Sequence, residues 1–173
     1  YVGRLSPEKD VANAIDSMGK FVFPQTQVHL CIVGDGPERK FLEWKVQDLG
    51  IEDRVHFLGF RRDIPNILSS LDLLVLSSLR ELFPMVALEA LYYECPVVAT
   101  RIGGVPEVVI DGETGFTAPP GDSEKLGEAI LKILDEPDKA RKMGQKGRQK
   151  VLENFSLEKV GQELLETFLQ FIQ

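Results

Sequence analysis

The amino-acid sequence predicts an α/β domain with a doubly wound parallel sheet of about six strands and helices on both faces. Short, nearly continuous apolar runs alternate with segments of helical periodicity, which is typical of a parallel sheet buried on both sides. The chain opens at the end of a strand, and the other predicted strands are residues 28–33, 55–58, 73–76, 97–100 and 115–118. Right-handed crossovers between them give a Rossmann-like topology.

Helices are predicted between the strands and throughout the last third of the chain. Ser6 and Pro7 are residue types preferred at the N-cap and the first position of a helix, so we expect one to begin there. Apolar residues at helical spacing predict further helices at residues 41–49, from 63, 84–94, 123–136, 138–154 and 156–172. The last of these has one apolar side, which predicts that it packs against another part of the protein.

The composition bounds the size, class and partners of the protein. Its 173 residues fit a single domain over 1–173, with 43% apolar and 27% charged residues. A net charge of −7 argues against nucleic acid as a partner, because such binding depends on neutralising phosphates. We expect no membrane span and no leader sequence. With Cys31 and Cys95 as two buried free thiols, the protein is expected to be cytoplasmic.

Several classes of enzyme are disfavoured by patterns that the sequence lacks. The only histidines, His29 and His56, fall on predicted strands, where a structural role is favoured over a catalytic one. There is no HExxH, CxxC or Asp-x-Asp pattern for a metal ion, and no Gly-x-Ser-x-Gly turn for a nucleophilic serine. We therefore expect neither a metal ion nor an organic cofactor.

Two cations stand where the first strand gives way to a helix. Arg4 follows the strand, and Lys9 falls in the first turn of the helix predicted from Ser6. A helix N-terminus has free N–H groups and a partial positive charge, so the two cations beside it would form an anion site of diphosphate size. The alternative, which the sequence leaves open, is a solvated Lys9 and a salt bridge at Arg4.

A glycine-rich turn, Gly34-Asp35-Gly36-Pro37, also separates a predicted strand from a helix. Doubly wound proteins bind phosphates at this place, but the complete Gly-x-Gly-x-x-Gly pattern is absent. A tight turn with Asp35 near the helix start is therefore the favoured interpretation.

Two glutamates frame the helix that begins at Pro84. Glu81 lies in the loop before it and Glu89 in its second turn, so both carboxylates can reach one ligand at the carboxyl edge of the sheet. Carboxylates in that position can accept hydrogen bonds from sugar or ribose hydroxyl groups. The alternative for Glu89 is a salt bridge to Arg80 or Arg101.

Seven short motifs occur in an order that resembles one protein family. They are GRLSPEK with Arg4 and Lys9, GDGP, VHFLG at 55–59, Glu81-x7-Glu89, PVVAT at 96–100, GGVPE at 103–107 and DGxxG at 111–115. Over residues 1 to about 155 they resemble the C-terminal, donor-binding domain of a retaining GT-B glycosyltransferase of family 4, the glycosyl transferases group 1. The resemblance implies one half of a GT-B fold, with the N-terminal acceptor domain outside this chain.

The resemblance also implies roles for individual residues. Arg4, Lys9 and Glu81 would be catalytic, the two cations holding the diphosphate of a nucleotide-sugar and Glu81 orienting its sugar. Glu89 would bind the ribose, residues 59–61 would border the base, and residues 82–83 would present backbone N–H groups. The implied donor-binding residues are Gly3, Arg4, Lys9, Gly59, Phe60, Arg61, Glu81, Leu82, Phe83, Pro84 and Glu89.

For the whole protein the resemblance implies a retaining, metal-independent hexosyltransferase of carbohydrate biosynthesis that uses a UDP-sugar or GDP-mannose. Its partners would be the donor, the N-terminal domain and an acceptor sugar or lipid-linked glycan, with peripheral contact at the cytoplasmic face of a membrane. The fragment alone would turn over poorly. The alternatives are a GT-B sugar phosphorylase or epimerase, or a non-catalytic nucleotide-binding or interaction module.

Two positions depart from the family pattern, and two helices have unusual surfaces. Leu82 stands where glycine is frequent, and Glu94 stands where a helix-ending glycine is expected. Six cations between residues 138 and 150 predict a solvated helix face, with contact to anionic lipid as the alternative. If the N-terminal domain is absent, we expect some of the apolar side chains of the last helix to be partly bare: Leu164, Phe168 and Phe171.

Overall fold

A computed structural model describes residues 1–171, and the predicted α/β class is confirmed there. Five strands form, and β1 pairs with β2, β3 with β4, and β4 with β5, all in parallel. The expectation of one sheet of about six strands needs correction, because hydrogen bonding divides the five strands of this range into a pair and a triple. Val2 adds one isolated parallel bridge to Val33. The strands are β1 Leu30–Val33, β2 Val55–Gly59, β3 Leu74–Leu76, β4 Val97–Thr100 and β5 Gly115–Ala118.

Eight α-helices accompany the strands within residues 1–171. A 3-10 turn over Pro7–Lys9 precedes the first helix, and a π-helical stretch over Met18–Val22 follows it. None of these helices is long and apolar enough to cross a membrane. The predicted end of the last helix, residue 172, lies outside the described residues. The helices are α1 Val11–Ser17, α2 Arg39–Asp48, α3 Ile64–Leu68, α4 Met85–Tyr92, α5 Val105–Val108, α6 Ser123–Leu134, α7 Pro137–Asn154 and α8 Leu157–Gln170.

The first helix begins later than the sequence predicts. Ser6 does not cap it, since its hydroxyl donates to the carboxylate of Glu8 at 2.7 Å. The carbonyl of Glu8 accepts from the backbone N–H of Leu79, so a contact with the loop after β3 takes a group that a continuous helix would use. Asp10 then takes a left-handed φ of 43° before α1. Lys9 therefore lies in the 3-10 turn and not in the first turn of α1.

Helices cover both faces of β3 and β4, as predicted, whereas His56 and Leu58 of β2 are exposed. Successive residues of a strand point to opposite faces. Val75 and Val98 belong to a core with side chains of α1, α2 and α6. Leu76 and Ala99, one residue further along, belong to a second core with side chains of α3, α4 and α5. Burial on both faces explains why these strands read as continuous apolar runs.

Helix α7 lies close to α4 because two glycines face it. A Cβ at Gly144 would collide with the backbone carbonyl of Glu94, and one at Gly147 would collide with the side chain of Leu91. One cationic side chain of α7 takes part in this contact, since the guanidinium of Arg148 lies over the ring of Tyr92 and 3.8 Å from the carboxylate of Glu94. Lys142 and Lys146 are exposed, which agrees with the solvated face that the sequence favours.

Helix α4 ends in a left-handed residue that is not glycine. Glu94 has a φ of 61°. The N–H of Cys95 donates to the carbonyl of Ala90 at 2.9 Å, and that of Glu94 donates to Leu91 at 3.0 Å, which is the Schellman arrangement. The sequence prediction of an unfavourable residue at this helix end is confirmed.

Helix α8 does not pack as the sequence predicts for its apolar side. None of its residues is buried, so the packing expectation is wrong within residues 1–171. Leu164 is 56% exposed and Phe168 59% exposed. The conditional expectation of bare side chains at these positions and at Phe171 therefore describes this helix correctly.

The histidines and cysteines lie differently from the sequence expectation. His29 and His56 do not face a core. Both are exposed, with Nδ1 of His29 and Nε2 of His56 2.9 Å apart. Cys31 is half-buried and not buried, whereas Cys95 is fully buried. Burial raises the pKa of the Cys95 thiol to about 12.

Replacing Glu94 by glycine should stabilise the fold. A left-handed backbone conformation costs a non-glycine residue about 1 kcal/mol, and the ion pair lost with Arg148 is exposed and long, at 3.8 Å. We expect the Glu94→Gly variant to gain about 1 kcal/mol in unfolding free energy by urea titration. The Glu94→Ala variant loses the same side chain but keeps the strain. Equal stability of the two variants would contradict the account.

Adding a methyl group at Gly144 should destabilise the contact between α7 and α4. The new Cβ would overlap a backbone carbonyl that cannot move independently of its helix end. We expect the Gly144→Ala variant to lose about 1–3 kcal/mol in unfolding free energy. Gly161 in α8 has no atom near its Cβ position, so Gly161→Ala is the matched control and should be neutral or gain up to about 1 kcal/mol. Similar losses in both variants would rule out the overlap as the cause.

Candidate functional site

Two adjoining clefts open at the carboxyl ends of the strands. The Arg4 cleft, about 440 Å³, lies between the segment after Val2, the turn after β1 and the loop after β2. The Lys9 cleft, about 330 Å³, lies between that segment, the loop after β3 and α4. The clefts share Val2, Gly3 and Ile64 and so form one groove. Ligands of open α/β sheets bind at this edge.

Nine of the eleven residues that the resemblance singles out line this groove. The Arg4 cleft includes Gly3, Arg4, Phe60 and Arg61. The Lys9 cleft includes Gly3, Lys9, Glu81, Phe83, Pro84 and Glu89. Parallel strands end at one edge, which brings together residues that are far apart in the sequence.

The other two positions, Gly59 and Leu82, line neither cleft. Gly59 has a positive φ of 66°, and its carbonyl accepts from the backbone N–H of Gly34 at 2.8 Å. The side chain of Leu82 is 95% exposed. Its contribution is a backbone one, because its carbonyl accepts from the N–H of Gly104 at 3.0 Å.

An ion pair joins the two sides of the Lys9 cleft. Nζ of Lys9 lies 2.6 Å from Oε2 of Glu81, with the lysine side chain 28% exposed and the glutamate side chain 14% exposed. The sequence alternatives for Lys9 were an anion site beside a helix and a solvated surface charge. Neither alternative includes this pair, and the contact with Glu81 shows that the solvated alternative is wrong.

The remaining charged residues of the groove differ in what they contact. Arg4 is exposed, and no ion pair joins it to any residue in the 1–171 range. The guanidinium of Arg61 donates two hydrogen bonds to the carboxylate of Asp63, at 2.8 and 2.7 Å. Arg61 therefore enters the groove already paired, whereas the charge of Arg4 is available to an anion.

Glu89 is exposed at the rim of the Lys9 cleft and makes no ion pair within the described range. The predicted alternative of a salt bridge to Arg101 is wrong, because Arg101 pairs with Asp111 instead. Arg80 also makes no ion pair with it. The carboxylate of Glu89 is therefore free to accept hydrogen bonds from a ligand.

The Gly34–Gly36 turn is explained by a close backbone approach. A Cβ at Gly34 would collide with the carbonyl of Gly3, and one at Gly36 would collide with that of Leu5. The N–H of Leu5 donates to the carbonyl of Asp35 at 3.0 Å. The favoured sequence interpretation of a tight turn is therefore correct, and the turn positions the segment that carries Arg4.

The Gly103–Gly104 pair has a similar role for the loop that carries Glu81. Gly103 has a φ of 53°, and a Cβ there would collide with the backbone carbonyl of Glu81. A Cβ at Gly104 would lie 2.8 Å from both the carbonyl oxygen of Leu82 and the ring of Phe83. The GGVPE motif therefore fixes the position of Glu81, a function that the sequence motif alone does not indicate.

Tyr1 is a polar groove residue that the sequence analysis does not identify. Tyr1 is buried and lines the Lys9 cleft, and its hydroxyl donates to the carbonyl of Arg4 at 2.8 Å. Burial, together with the nearby carboxylate of Glu81, raises the pKa of this hydroxyl, so it remains a neutral donor. Within residues 1–171, no three His, Cys, Asp or Glu side chains are grouped so that they could hold a metal ion.

The fold is that of a Rossmann-like domain, with a groove at the carboxyl edge of its strands that is lined by free and paired charges. A family model described as "Glycosyl transferases group 1" matches residues 1–150. The chain belongs to that family.

Curated relatives agree with this assignment. N-acetyl-alpha-D-glucosaminyl L-malate synthase of Bacillus anthracis is 34% identical over 160 residues, which cover 92% of this chain and 42% of that protein. Glycogen synthase of Mycobacterium tuberculosis is 31% identical over 171 residues, which cover 98% of this chain and 41% of that protein. The chain thus spans less than half the length of these relatives.

Solved structures confirm the fold as one half of a GT-B glycosyltransferase. Anabaena HepE in complex with UDP superposes with a TM-score of 0.90 at 32% identity, over 98% of this chain and 47% of that one. HepE in complex with UDP-glucose gives a TM-score of 0.88. The C-terminal domain of the group 1 family protein LpcC from Francisella tularensis gives 0.81 at 26% identity, covering 90% of this chain and 84% of that one.

Alanine at Gly103 should displace the loop that carries Glu81. The substitution adds both a left-handed strain and a collision with a backbone carbonyl, and we expect a loss of about 2–4 kcal/mol in unfolding free energy. Gly112 also has a positive φ, of 78°, but its Cβ position is open. Gly112→Ala should therefore lose only about 1–2 kcal/mol in the same denaturant titration. If Gly112→Ala lost as much unfolding free energy as Gly103→Ala, backbone strain alone would explain both losses and the collision with Glu81 would be rejected.

Proposed function

We propose that this chain is the donor-binding domain of a glycosyltransferase, a single domain over 1–173 that binds a nucleoside diphosphate sugar. The observation that carries the proposal is the arrangement of charges along one groove: Arg4 and Lys9 on one side, and Glu81 and Glu89 on the other. Cations suit a diphosphate, and carboxylates suit hydroxyl groups. Membership of the family and the UDP and UDP-glucose complexes of HepE support this ligand class.

Arg4 and Lys9 are proposed to hold the diphosphate. Arg4 offers an unpaired guanidinium, whose planar set of donors matches phosphate oxygens. Lys9 reaches the groove from a 3-10 turn, so its contribution is its own charge and not the N-terminus of α1. The two residues line adjoining clefts that share Gly3, which is compatible with contacts to two neighbouring phosphates.

The carboxylates are proposed to recognise the hydroxyl groups at either end of the donor. Glu89, exposed at the rim, is assigned to the ribose. Glu81, in the interior of the Lys9 cleft, is assigned to the transferred sugar. Phe60, 75% exposed in the Arg4 cleft, offers an apolar face beside Arg61 for the base.

In the whole protein we propose a retaining, metal-independent hexosyl transfer of family 4 type. The bond between the anomeric carbon and the phosphate oxygen breaks while an acceptor hydroxyl attacks from the same side. The departing diphosphate takes the acceptor proton, and Arg4 and Lys9 stabilise the negative charge that builds up on it. The acceptor, a sugar or a lipid-linked glycan, would bind largely to the N-terminal half, in the cytoplasm or at the cytoplasmic face of a membrane.

Titration of this chain with UDP, GDP and ADP tests the proposal. We expect one of the three to bind, with the same affinity in the presence and absence of EDTA. Lys9→Ala and Glu89→Ala should each weaken that binding by about 1–3 kcal/mol, the scale of a hydrogen bond to a charged group. Isothermal titration calorimetry measures both effects.

Matched controls separate the groove from general changes in charge. Lys20 pairs with Asp16 outside the groove, and Glu128 pairs with Lys125 on α6. Lys20→Ala and Glu128→Ala should leave the affinity unchanged. Unaltered binding in both groove variants would reject the assigned roles. Competition by inorganic phosphate, without preference for a nucleotide, would favour a sugar phosphorylase.

A further inference from the structure

We propose that Lys9 exchanges partners during the binding cycle. In the ligand-free domain it neutralises Glu81, on donor binding it moves to the diphosphate, and after sugar transfer its return to Glu81 favours release of the nucleoside diphosphate. The inference rests on the proposed function. Beyond that function, the inference assigns Glu81 a role in discriminating between the nucleotide-sugar and the nucleoside diphosphate. Glu81 acts through its pairing with Lys9.

The first step is that the charges of Lys9 and Glu81 already neutralise each other in the Lys9 cleft. The ammonium and carboxylate groups are 2.6 Å apart, and both side chains are mostly buried. Lys9 is the only cationic side chain that lines the Lys9 cleft, among the residues that the structure describes there. A phosphate entering this cleft therefore competes with Glu81 for Lys9.

The second step is that only side chains need to move. Ser77 Oγ donates to the carbonyl of Lys9 at 3.1 Å, and the N–H of Lys9 donates to the carbonyl of Ser6 at 2.9 Å. The backbone of Glu81 is fixed by its contact with Gly103. The flexible four-carbon stem of Lys9 can redirect its charge while both backbones stay in place.

The third step is an energetic asymmetry between the two ligands. The side chain of Glu81 is 14% exposed, and the hydrogen bond from Lys9 is the only one its carboxylate accepts from any residue in the 1–171 range. When a diphosphate withdraws Lys9, this carboxylate is left unpaired, which is unfavourable at a mostly buried position. The hydroxyl groups of a donor sugar can replace the lost hydrogen bond. A nucleoside diphosphate has no such group to place there.

The exchange predicts an unusual result for a conservative variant of a binding residue. Glu81→Gln removes the charge that competes for Lys9, so it should tighten the binding of UDP by about three- to tenfold. The affinity for UDP-glucose should increase less, because the variant no longer offers a charged acceptor to the hydroxyl groups of the sugar. The preference of the protein for UDP-glucose over UDP should therefore fall. NMR titration with UDP and with UDP-glucose measures the two affinities. The same titrations are run with GDP and ADP and with their nucleotide-sugars.

Two further variants distinguish the exchange from a general electrostatic effect. Glu8 is exposed, is adjacent to Lys9 in the chain and lines neither cleft, so Glu8→Gln makes the same change in charge outside the groove. The Lys9→Met variant removes the shared cation. We expect the gain from Glu81→Gln to exceed that from Glu8→Gln and to disappear when it is combined with Lys9→Met.

The outcomes that would contradict the exchange differ from those that would contradict the proposed function. A gain no larger than that of Glu8→Gln, a gain that persists in the Lys9→Met background, or a loss of UDP affinity in Glu81→Gln would overturn the exchange while the proposed function stands. Absence of binding to the unmodified chain by every nucleoside diphosphate and every nucleotide-sugar would overturn the proposed function, and the exchange with it.

Discussion

The geometry of the groove depends on backbone contacts that only glycine permits. Gly34 and Gly36 hold the segment that carries Arg4 against the turn after β1, and Gly103 holds the loop that carries Glu81. A lost side-chain contact changes one interaction, whereas a Cβ at any of these glycines would displace a whole segment. The glycines therefore determine where the charged groups stand, and the charged groups determine what can bind.

The sequence predicts the strands better than the helix starts because the two kinds of element depend on different ranges of the chain. Strands β4 and β5 are predicted at their observed bounds, since burial on both faces leaves a continuous apolar run. The start of α1 is predicted wrongly because the carbonyl of Glu8 pairs with the N–H of Leu79, a contact across 71 residues that no local pattern reveals. Helix α5, with four residues, is too short to show a period.

The same distinction holds for the site. The topology of a parallel sheet predicts that Arg4, Lys9, Glu81 and Glu89 share one edge, and the family resemblance adds the other five of the nine groove residues. It does not predict which charges pair there. Lys9 and Glu81 are 72 residues apart, and Arg101 contacts Asp111 where the sequence offered Glu89 as a partner. Pairing depends on side-chain reach within the folded groove, which has no signature in residue type or spacing.

The pairing of Lys9 with Glu81 resolves a conflict between stability and binding. A groove for a diphosphate sugar needs a cation for the phosphates and a carboxylate for the hydroxyl groups, and both must remain folded when no ligand is present. Left apart at mostly buried positions, each charge would be unfavourable. In contact, the two charges neutralise each other. In the proposed exchange, Glu81 occupies the place of a phosphate and Lys9 that of the hydroxyl donors. In the proposed exchange, a ligand that brings only one of the two replacements leaves the other charge unpaired, so discrimination between donor and product would follow from the same contact that neutralises the groove.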